Sequence, residues 1–345
     1  MTEHIHYDRP ADHLYHAVPL RHVLELPVLG VLVRFESNSA DALSLVEEVF
    51  GGWRALFATP ERIQAGNVRV RLVVHDGDEG DPREAHTYWR MPDRHRLLIH
   101  TPGSVALVDR ERLEAIAYVT PALLANRAQT EYSLVSCLTF PLVETCDRSP
   151  VHAAAIARDG VAVLLAAPPG TGKSTLAYEA HREGWAVLSD DVTEIQTEPT
   201  FRIWGTSPGS VCLTPEAAAR FRELAGRAPK LVANGSEKVV VRLPAEQADR
   251  AFSSPTASQV TVCLLQRNGE RASLTPVSPA EVQTFLGDGL GIARVMYGAR
   301  LDQALARVAA GGGWRLSLSD DPRDALPLLH EALAALQEAR PPALV

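Results

Sequence analysis

The 345-residue chain lacks long apolar runs and paired cysteines, and each absence excludes a class of protein. Its longest apolar stretches, such as 161–167, fall far short of the roughly 20 residues that span a bilayer. The first ten residues are polar and do not have the basic-then-apolar pattern of a signal peptide. The four cysteines are scattered, which argues against a disulfide framework or a zinc site. We therefore expect a cytoplasmic protein with no membrane partner.

The charge and the length set two further expectations. A net charge of -8 argues against non-specific nucleic-acid binding, because such binding depends on the neutralisation of phosphates. Hydrophobic residues make up 46% of the chain and charged residues 22%, which is typical of a globular protein. The length suits about two domains of roughly 150 residues each.

Lysine is the scarcest charged residue. Only three of the 34 basic residues are lysines, namely Lys173, Lys230 and Lys238. A coding bias towards arginine is the simplest explanation. Under such a bias, lysine can still be kept where a compact ammonium does what a planar guanidinium cannot. That argument applies above all to Lys173, and both explanations stay open for the other two.

The first predicted domain covers residues 1–148 and is of the α+β type. It begins with an irregular arm whose histidines fit no standard set of metal ligands, so a solvated arm is expected: His4, His6, His13, His16 and His22. Periodicity then predicts a strand at 27–37, a helix at 40–53 and a strand at 67–76. An acidic solvated turn at 75–84 and four short antiparallel strands between 86 and 120 are expected next. A long helix is predicted at 121–144, with a break before Pro141. This half carries no recognisable catalytic constellation.

The second predicted domain covers residues 149–345. Two apolar runs, 151–157 and 161–167, surround a turn at 158–160 and predict a β-hairpin. The amphipathic segment 321–339 predicts a helix whose leucines cover a sheet.

One segment of this domain has the order of features that a phosphate-binding loop requires. A strand is predicted at 161–165, a turn rich in glycine and proline follows at 168–172, and a helix begins near Lys173. Gly170 and Gly172 allow backbone N–H groups to converge, and the helix amino terminus adds its dipole and unpaired donors. The alternative is a glycine-rich turn that caps an unrelated helix.

The loop residues predict ATP and Mg²⁺ as cofactors. The expected nucleotide contacts are Pro169, Gly170, Thr171, Gly172, Lys173, Ser174 and Thr175. Lys173 would reach the β- and γ-phosphates, and the Ser174 hydroxyl would bind Mg²⁺. Ala167 stands where the motif has its first glycine, and alanine fits there if its φ is negative.

Two adjacent carboxylates, Asp190 and Asp191, follow the short predicted strand 186–188. One of them would hold the metal, and the other would accept the proton of an incoming hydroxyl. Adjacent strand residues point to opposite faces, so both serve one site only if the strand ends there. The alternative is a solvated pair that caps the next turn.

His152 and Lys238 are two further candidates. His152 lies on the strand whose partner leads into the glycine loop. It either contacts phosphate, supports a residue that does, or is a satisfied core histidine. Lys238 follows a hairpin-turn signal, Asn234-Gly235, on a valine-rich strand. It either reaches a nucleotide or acceptor phosphate or is an exposed lysine on an edge strand.

Residues 151–195 resemble the core of the HPr kinase/phosphorylase-like proteins. Those proteins share a P-loop fold with the phosphoenolpyruvate carboxykinases and phosphorylate serine in a protein. The matching features are the histidine before the hairpin, the glycine loop and the paired aspartates. The likeness is close over 150–200 and looser to about 320, whereas residues 1–145 are unlike the amino-terminal domain of the true HPr kinases.

The resemblance implies a role for each matching residue. Asp190 falls at the general acid/base position, Asp191 at the metal-associated acid and His152 on the active-site histidine. Lys173 and Ser174 fall on the P-loop positions. The Glu-Ile-Arg-Gly-type signature of the true HPr enzymes has no counterpart, so the chain is expected to resemble the stand-alone kinases of the family. Some of those phosphorylate a serine of a precursor peptide in peptide natural-product pathways, lasso peptides included.

The resulting hypothesis is an ATP- and Mg²⁺-dependent kinase that acts on a serine of a peptide or small protein, with residues 1–148 recognising the acceptor. Two alternatives remain open. One is a nucleotide-binding regulatory or assembly module without phosphoryl transfer, and the other is a small-metabolite kinase. A homo-oligomer is also left open, since the true HPr kinases are oligomeric.

Overall fold

A computed structural model describes residues 18–76, 88–101, 104–207, 209–231, 236–243 and 256–338. The chain divides into two compact units, the first formed by 1–54 with 63–142 and the second by 55–62 with 143–345. Three features of the sequence lie outside the described residues: the part of the histidine arm before residue 18, the acidic turn from residue 77 to 84, and the Asn234-Gly235 turn. The irregular arm was expected to extend to residue 26, and this is wrong for its last residues, because a β-strand begins at His22.

The first unit is built on a seven-stranded mixed sheet. Its strands are β1 (His22–Val28), β2 (Val31–Ser37), β3 (Gln64–Val74), β4 (Tyr88–Asp93), β5 (Arg96–Thr101), β6 (Ser104–Asp109) and β7 (Glu114–Val119). The spatial order is β1-β2-β3-β7-β6-β5-β4. β3 pairs in parallel with β2 and β7, and the other pairs are antiparallel. The four predicted antiparallel strands are therefore confirmed as β4 to β7.

Four α-helices accompany this sheet in the described part of the chain. They are α1 (Ala40–Phe50), α2 (Pro121–Ala125), α3 (Arg127–Thr130) and α4 (Cys137–Val143). The predicted helix at 40–53 is confirmed as α1, which begins where the Ser39 hydroxyl accepts the N–H of Ala42 and buries Leu45, Val46 and Phe50.

The single strand predicted at 27–37 is wrong. Val28 pairs directly with Val31, so the chain reverses through the two-residue turn Leu29-Gly30. Both turn residues have positive φ, 49° and 75°, as the tight hairpin turn requires. The flanking residues are apolar on both sides, so the apolar pattern alone did not reveal the reversal.

The long helix predicted at 121–144 is wrong as well. The segment forms two short helices, a π-helical turn at Glu131–Ser136 and then α4, which contains Pro141. The Thr130 hydroxyl donates to the carbonyl of Leu123, which lies across the first break, and to the carbonyl of Asn126. The interruption therefore precedes the proline by several residues.

In its described residues, the second unit contains three sheets. Its strands are β8 (Ser149–Val151), β9 (Ala153–Arg158), β10 (Val161–Ala166), β11 (Ala186–Ser189), β12 (Thr193–Gln196), β13 (Arg202–Gly205), β14 (Ser210–Leu213), β15 (Lys230–Leu231), β16 (Glu237–Arg242), β17 (Thr256–Ala257), β18 (Gln259–Gly269), β19 (Ser273–Val277) and β20 (Gly313–Ser319). The sheets have the orders β11-β9-β10-β18-β20-β19, β17-β13-β12-β8 and β14-β16-β15.

Helices cover both faces of the six-stranded sheet. They are α5 (Lys173–Arg182), α6 (Pro215–Ala218), α7 (Pro279–Gly287), α8 (Gly291–Tyr297), α9 (Ala299–Ala309) and α10 (Leu326–Glu338). α5 and α10 pack on one face, and α7 and α9 pack on the other. β10 is buried along its whole length, as expected for a strand covered on both sides. The leucines of α10 cover the sheet as predicted.

The predicted hairpin is confirmed as β9 and β10, which pair antiparallel from Arg158 and Val161. β10 then runs parallel to β18, and β18 runs parallel to β20. The carboxyl ends of these three strands therefore meet at one edge of the sheet, where parallel sheets bind ligands. The mixed α/β fold class is confirmed. None of the described helices is both long and apolar enough to cross a membrane.

The packing of α10 gives a stability prediction. Leu329 is fully buried against the sheet, whereas Leu336 is only partly buried on the same helix. We expect Leu329→Ala to lower the free energy of unfolding by about 2–5 kcal/mol, because it removes buried contacts and leaves a cavity. Leu336→Ala is the matched control and should cost clearly less in urea unfolding. Equal losses would show that α10 does not cover the core.

Candidate active site

A glycine loop joins β10 to α5, so the predicted order of strand, loop and helix is confirmed. Gly170 and Gly172 have φ values of 82° and 118°, a region that glycine tolerates and other residues rarely adopt. Gly172 is the N-cap of α5, and no side chain caps this helix. The first backbone N–H groups of α5 are therefore oriented for an anion. Phosphate binding itself stays a prediction.

Ala167 fits the position where the motif has glycine. Its φ is not among the positive values of the described residues, so the methyl group causes no backbone strain there. The residue is buried, and its carbonyl oxygen accepts a hydrogen bond from Nζ of Lys173 at 2.7 Å. The departure from the motif therefore leaves the loop geometry intact.

Lys173 is buried at the first position of α5, and its exposed fraction is 7%. Its Nζ also lies 3.1 Å from Nε2 of His152. Burial lowers the pKa of Lys173, and the negative charges of Asp191 and Asp190 oppose that effect. The Lys173 ammonium thus contacts a backbone carbonyl and an imidazole, and the negative charges of both aspartates favour its protonated form.

His152 lies between β8 and β9 with a side chain that is 42% exposed, so it is not a core histidine. Its Nδ1 lies 3.4 Å from Oδ1 of Asp191. Burial lowers the pKa of His152, Asp191 raises it, and Lys173 lowers it further. A neutral imidazole can accept from Lys173 through Nε2 while it donates through Nδ1–H to Asp191. His152 therefore links the lysine to the aspartate.

The two aspartates follow the end of β11, as a shared site requires. Ser189, the last residue of β11, donates its hydroxyl to the carbonyl of Val192, and it accepts the N–H of Asp191. These contacts bend the chain before β12 begins at Thr193. Asp190 and Asp191 consequently leave the strand in different directions.

Asp190 and Asp191 have different surroundings. Asp190 is buried, its Oδ2 accepts the N–H of Cys212 on β14 at 2.6 Å, and the Ser207 hydroxyl lies 3.4 Å from its Oδ1. Burial raises the pKa of Asp190 to about 6, the Cys212 N–H opposes this, and the charge of Asp191 adds to it. The Asp191 side chain is 65% exposed. Asp190 is thus the stronger proton acceptor, and Asp191 is the more accessible ligand.

The residues fit Mg²⁺ only together with a nucleotide. Within the described ranges, no group of three or more histidine, cysteine, aspartate or glutamate side chains is arranged to hold a metal. Ser174 is half-buried, and Asp191 offers an accessible carboxylate. Mg²⁺ commonly takes one or two protein ligands and completes its shell with phosphate oxygens and water. Ser174 and Asp191 suit that arrangement.

Lys238 lies on β16, which pairs with β14, the strand whose Cys212 N–H binds Asp190. It is half-buried on β16, the central strand of β14-β16-β15, so the edge-strand explanation is wrong. No hydrogen bond or ion pair joins it to the glycine loop in the described part of the chain, and its nucleotide contact stays a prediction. Lys230 lies directly opposite it on β15.

Arg267 is a neighbour of the loop that the sequence analysis missed. It lies near the end of β18, beside β10, and its Nε donates to the carbonyl of Thr171 at 3.3 Å. Its Nη2 lies 3.4 Å from the place where a Cβ on Gly172 would sit. One arginine among 31 gives no local signal, because only the parallel pairing of β10 with β18 brings it to the loop.

Comparison with known proteins finds similarity over about half of the chain. No family model matches the chain. HPr kinase/phosphorylases of Streptococcus pneumoniae strains 70585 and JJA are 24% identical to it over 174 residues, which cover 50% of this chain and 54% of each relative. The chain therefore spans about half the length of the curated relatives that it matches.

One solved structure gives a further comparison. The Hpr(Ser) kinase/phosphatase of Coxiella burnetii is 13% identical, with a TM-score of 0.28 over 55% of this chain and 96% of that one. The sequence matches to the Streptococcus pneumoniae proteins confirm the resemblance to HPr kinase/phosphorylase as a weak homology over half of the chain. The stand-alone subfamily stays a prediction.

The loop geometry predicts opposite outcomes for two exchanges between glycine and alanine. Gly172→Ala places a side chain at a φ of 118° and should weaken binding of MgATP about ten-fold or more, since such strain costs roughly 1–3 kcal/mol. Ala167→Gly is the matched control and should leave the affinity within about two-fold, because no strain is relieved. Calorimetric titration with MgATP measures both. Equal effects would contradict the loop assignment.

Proposed function

We propose that the chain is an ATP- and Mg²⁺-dependent kinase that phosphorylates a serine of a peptide or small protein, such as a ribosomal precursor peptide. The observation that carries this proposal is the continuous set of contacts from Ala167 through Lys173 and His152 to Asp191, with Asp190 beside it. The glycine loop, Lys173 and the two aspartates thereby lie at one edge of one sheet, as phosphoryl transfer to a hydroxyl would require. The homology to HPr kinase/phosphorylase supports a kinase-type transferase at a coarse level.

The proposed division of work follows from the surroundings of each side chain. The N–H groups at the start of α5 and the ammonium of Lys173 hold the β- and γ-phosphates. Asp190 orients the serine hydroxyl and accepts its proton as the new P–O bond forms and the bond to the leaving ADP breaks. A carboxylate with a pKa of about 6 is a better proton acceptor than an ordinary aspartate.

The other residues of the site position these groups. His152 contacts Lys173 through Nε2 and Asp191 through Nδ1, and it thereby fixes their relative positions. Ser174 and Asp191 would hold Mg²⁺, which supplies neutralisation of the phosphate charge when it is bound. The described part of the first unit is built on a seven-stranded sheet. We assign recognition of the acceptor to residues 1–148.

A nucleotide-binding regulatory or assembly module is the second candidate. It would need the glycine loop and Lys173, but it would have little use for Asp190. The raised pKa and the burial of Asp190 beside the phosphate loop favour the kinase, because buried carboxylates with shifted pKa values are typical of acid/base chemistry. A small-metabolite kinase would use the same machinery with a different acceptor.

Substitution of Lys173 tests its role in phosphoryl transfer. Lys173→Ala should lower phosphoryl transfer by about 10²–10³-fold, because a charge that stabilises the transferring phosphate is lost. Lys173→Arg should fail as well, since a planar guanidinium does not fit a buried space built for a compact ammonium. Arg294→Ala, a cation exposed on α8, is the control and should leave the rate unchanged. Near wild-type transfer by Lys173→Ala would remove the P-loop assignment.

Asparagine variants distinguish the roles of Asp190 and Asp191. Asp190→Asn keeps the shape of the side chain but cannot take a proton, so transfer should drop by about 10²–10⁴-fold with little change in MgATP affinity. Asp191→Asn should instead raise the concentration of Mg²⁺ that is needed, with partial recovery of the rate at high Mg²⁺. Steady-state kinetics over a Mg²⁺ series measures both.

Two outcomes would be informative about this assignment. An exchange of the two phenotypes would reverse the roles of Asp190 and Asp191. Full activity of both variants at limiting Mg²⁺ would show that the pair only caps a turn, and the acceptor chemistry would have to come from other residues.

A further inference from the structure

The outer face of the β14-β16-β15 sheet brings cations together. Lys230 and Lys238 lie directly opposite each other in the antiparallel pairing of β15 with β16. Directly opposed residues have Cβ atoms about 5 Å apart, and like charges at such positions destabilise a sheet. Two of the only three lysines in the chain thus occupy one unfavourable pair.

Arg242 extends this pair along the same face. Arg242 lies two residues after Val240 on β16, and Lys238 lies two residues before Val240. These three side chains therefore lie on the same face of the sheet. The alternate residues, Val239 and Val241, are buried in the core. We call Lys230, Lys238 and Arg242 the cationic strip.

The strip carries uncompensated charge. None of the three side chains forms a hydrogen bond or an ion pair with the part of the chain that the structure describes, and all three residues are half-buried or exposed. The one carboxylate of β16, Glu237, alternates to the other face. In a chain with a net charge of -8, this is a local positive surface.

The strip begins next to the proposed base. Oδ2 of Asp190 accepts the N–H of Cys212, and Cys212 pairs directly with Val240, the residue between Lys238 and Arg242. One strand spacing of about 5 Å separates Cys212 from β16, and a second separates β16 from β15. An extended peptide rises about 3.3 Å per residue. A peptide with its serine at Asp190 therefore reaches the strip about two to four residues away.

We propose that the cationic strip binds an acidic segment of the acceptor, with aspartate or glutamate about two to four residues from the phosphorylated serine. This inference rests on the proposed kinase function and adds the substrate class. An acidic segment offsets the repulsion between Lys230 and Lys238, which no described carboxylate does. A nucleic acid is less suited, because the strip and its neighbours Cys212 and Val240 offer no aromatic ring for base stacking.

The test compares matched serine peptides. One set carries three aspartates, placed either before or after the serine at the distances given above, and the control set carries asparagine at the same places. We expect kcat/KM to be about five- to ten-fold higher for one aspartate peptide than for its asparagine control, and the advantage should shrink with added salt. The protein variant is Lys230→Glu with Arg242→Glu, and Arg294→Glu is its control on α8.

The variant should lose the preference for aspartate, while the affinity for MgATP and the thermal midpoint stay near those of wild type. A peptide with three lysines in place of the aspartates should in turn become the better substrate of the variant. Equal use of aspartate and asparagine peptides by wild type, or an unchanged preference in the variant, would overturn the proposal.

A binding measurement separates this proposal from the kinase function. Fluorescence anisotropy with the labelled aspartate peptides reports binding to the strip even if no phosphate is transferred. Binding that the double variant abolishes, without any transfer, supports the strip and contradicts the kinase. Transfer to serine without any effect of aspartate supports the kinase and overturns the strip. Preferential, strip-dependent binding of a single-stranded oligonucleotide would also overturn it.

Discussion

The ammonium of Lys173 connects the parts of the candidate site. It donates to the carbonyl of Ala167 at 2.7 Å and lies 3.1 Å from the imidazole of His152, whose other nitrogen lies 3.4 Å from Asp191. Because Lys173 is also the first residue of α5, these contacts tie the amino terminus of the helix to the preceding strand. In a chain with 31 arginines and only three lysines, a compact ammonium fits this buried position and a planar guanidinium does not.

The two aspartates show how one sequence element can supply two kinds of carboxylate. Asp190 is buried against β14, and burial raises its pKa to about 6, whereas Asp191 stays largely exposed. The difference arises because the chain bends immediately after β11, so neighbouring residues enter unlike surroundings. Groups whose surroundings differ in this way can share a site and still perform different chemistry.

Strong local signals were enough to predict much of the fold and the core of the site. The hairpin, the glycine loop and the helix that follows it rest on apolar periodicity and turn residues that lie close together in sequence. The turn at Gly30 and the breaks near Thr130 were missed because they depend on backbone angles and on a side-chain hydroxyl that competes with helical bonds. Strand pairing brings Lys230 opposite Lys238 and places Arg267 beside the glycine loop. Residue composition and spacing do not reveal strand pairing, so neither feature was predicted.

The fate of the γ-phosphate in the wild-type protein tests the central claim most directly. The protein is incubated with γ-labelled ATP and Mg²⁺, with and without a serine peptide, and the label is followed by mass spectrometry of the peptide and by release of inorganic phosphate. The account predicts that label accumulates as phosphoserine in proportion to the ADP formed. ATP that binds but keeps its γ-phosphate with every peptide, or that loses it only to water, would contradict a serine kinase and favour a nucleotide-binding module.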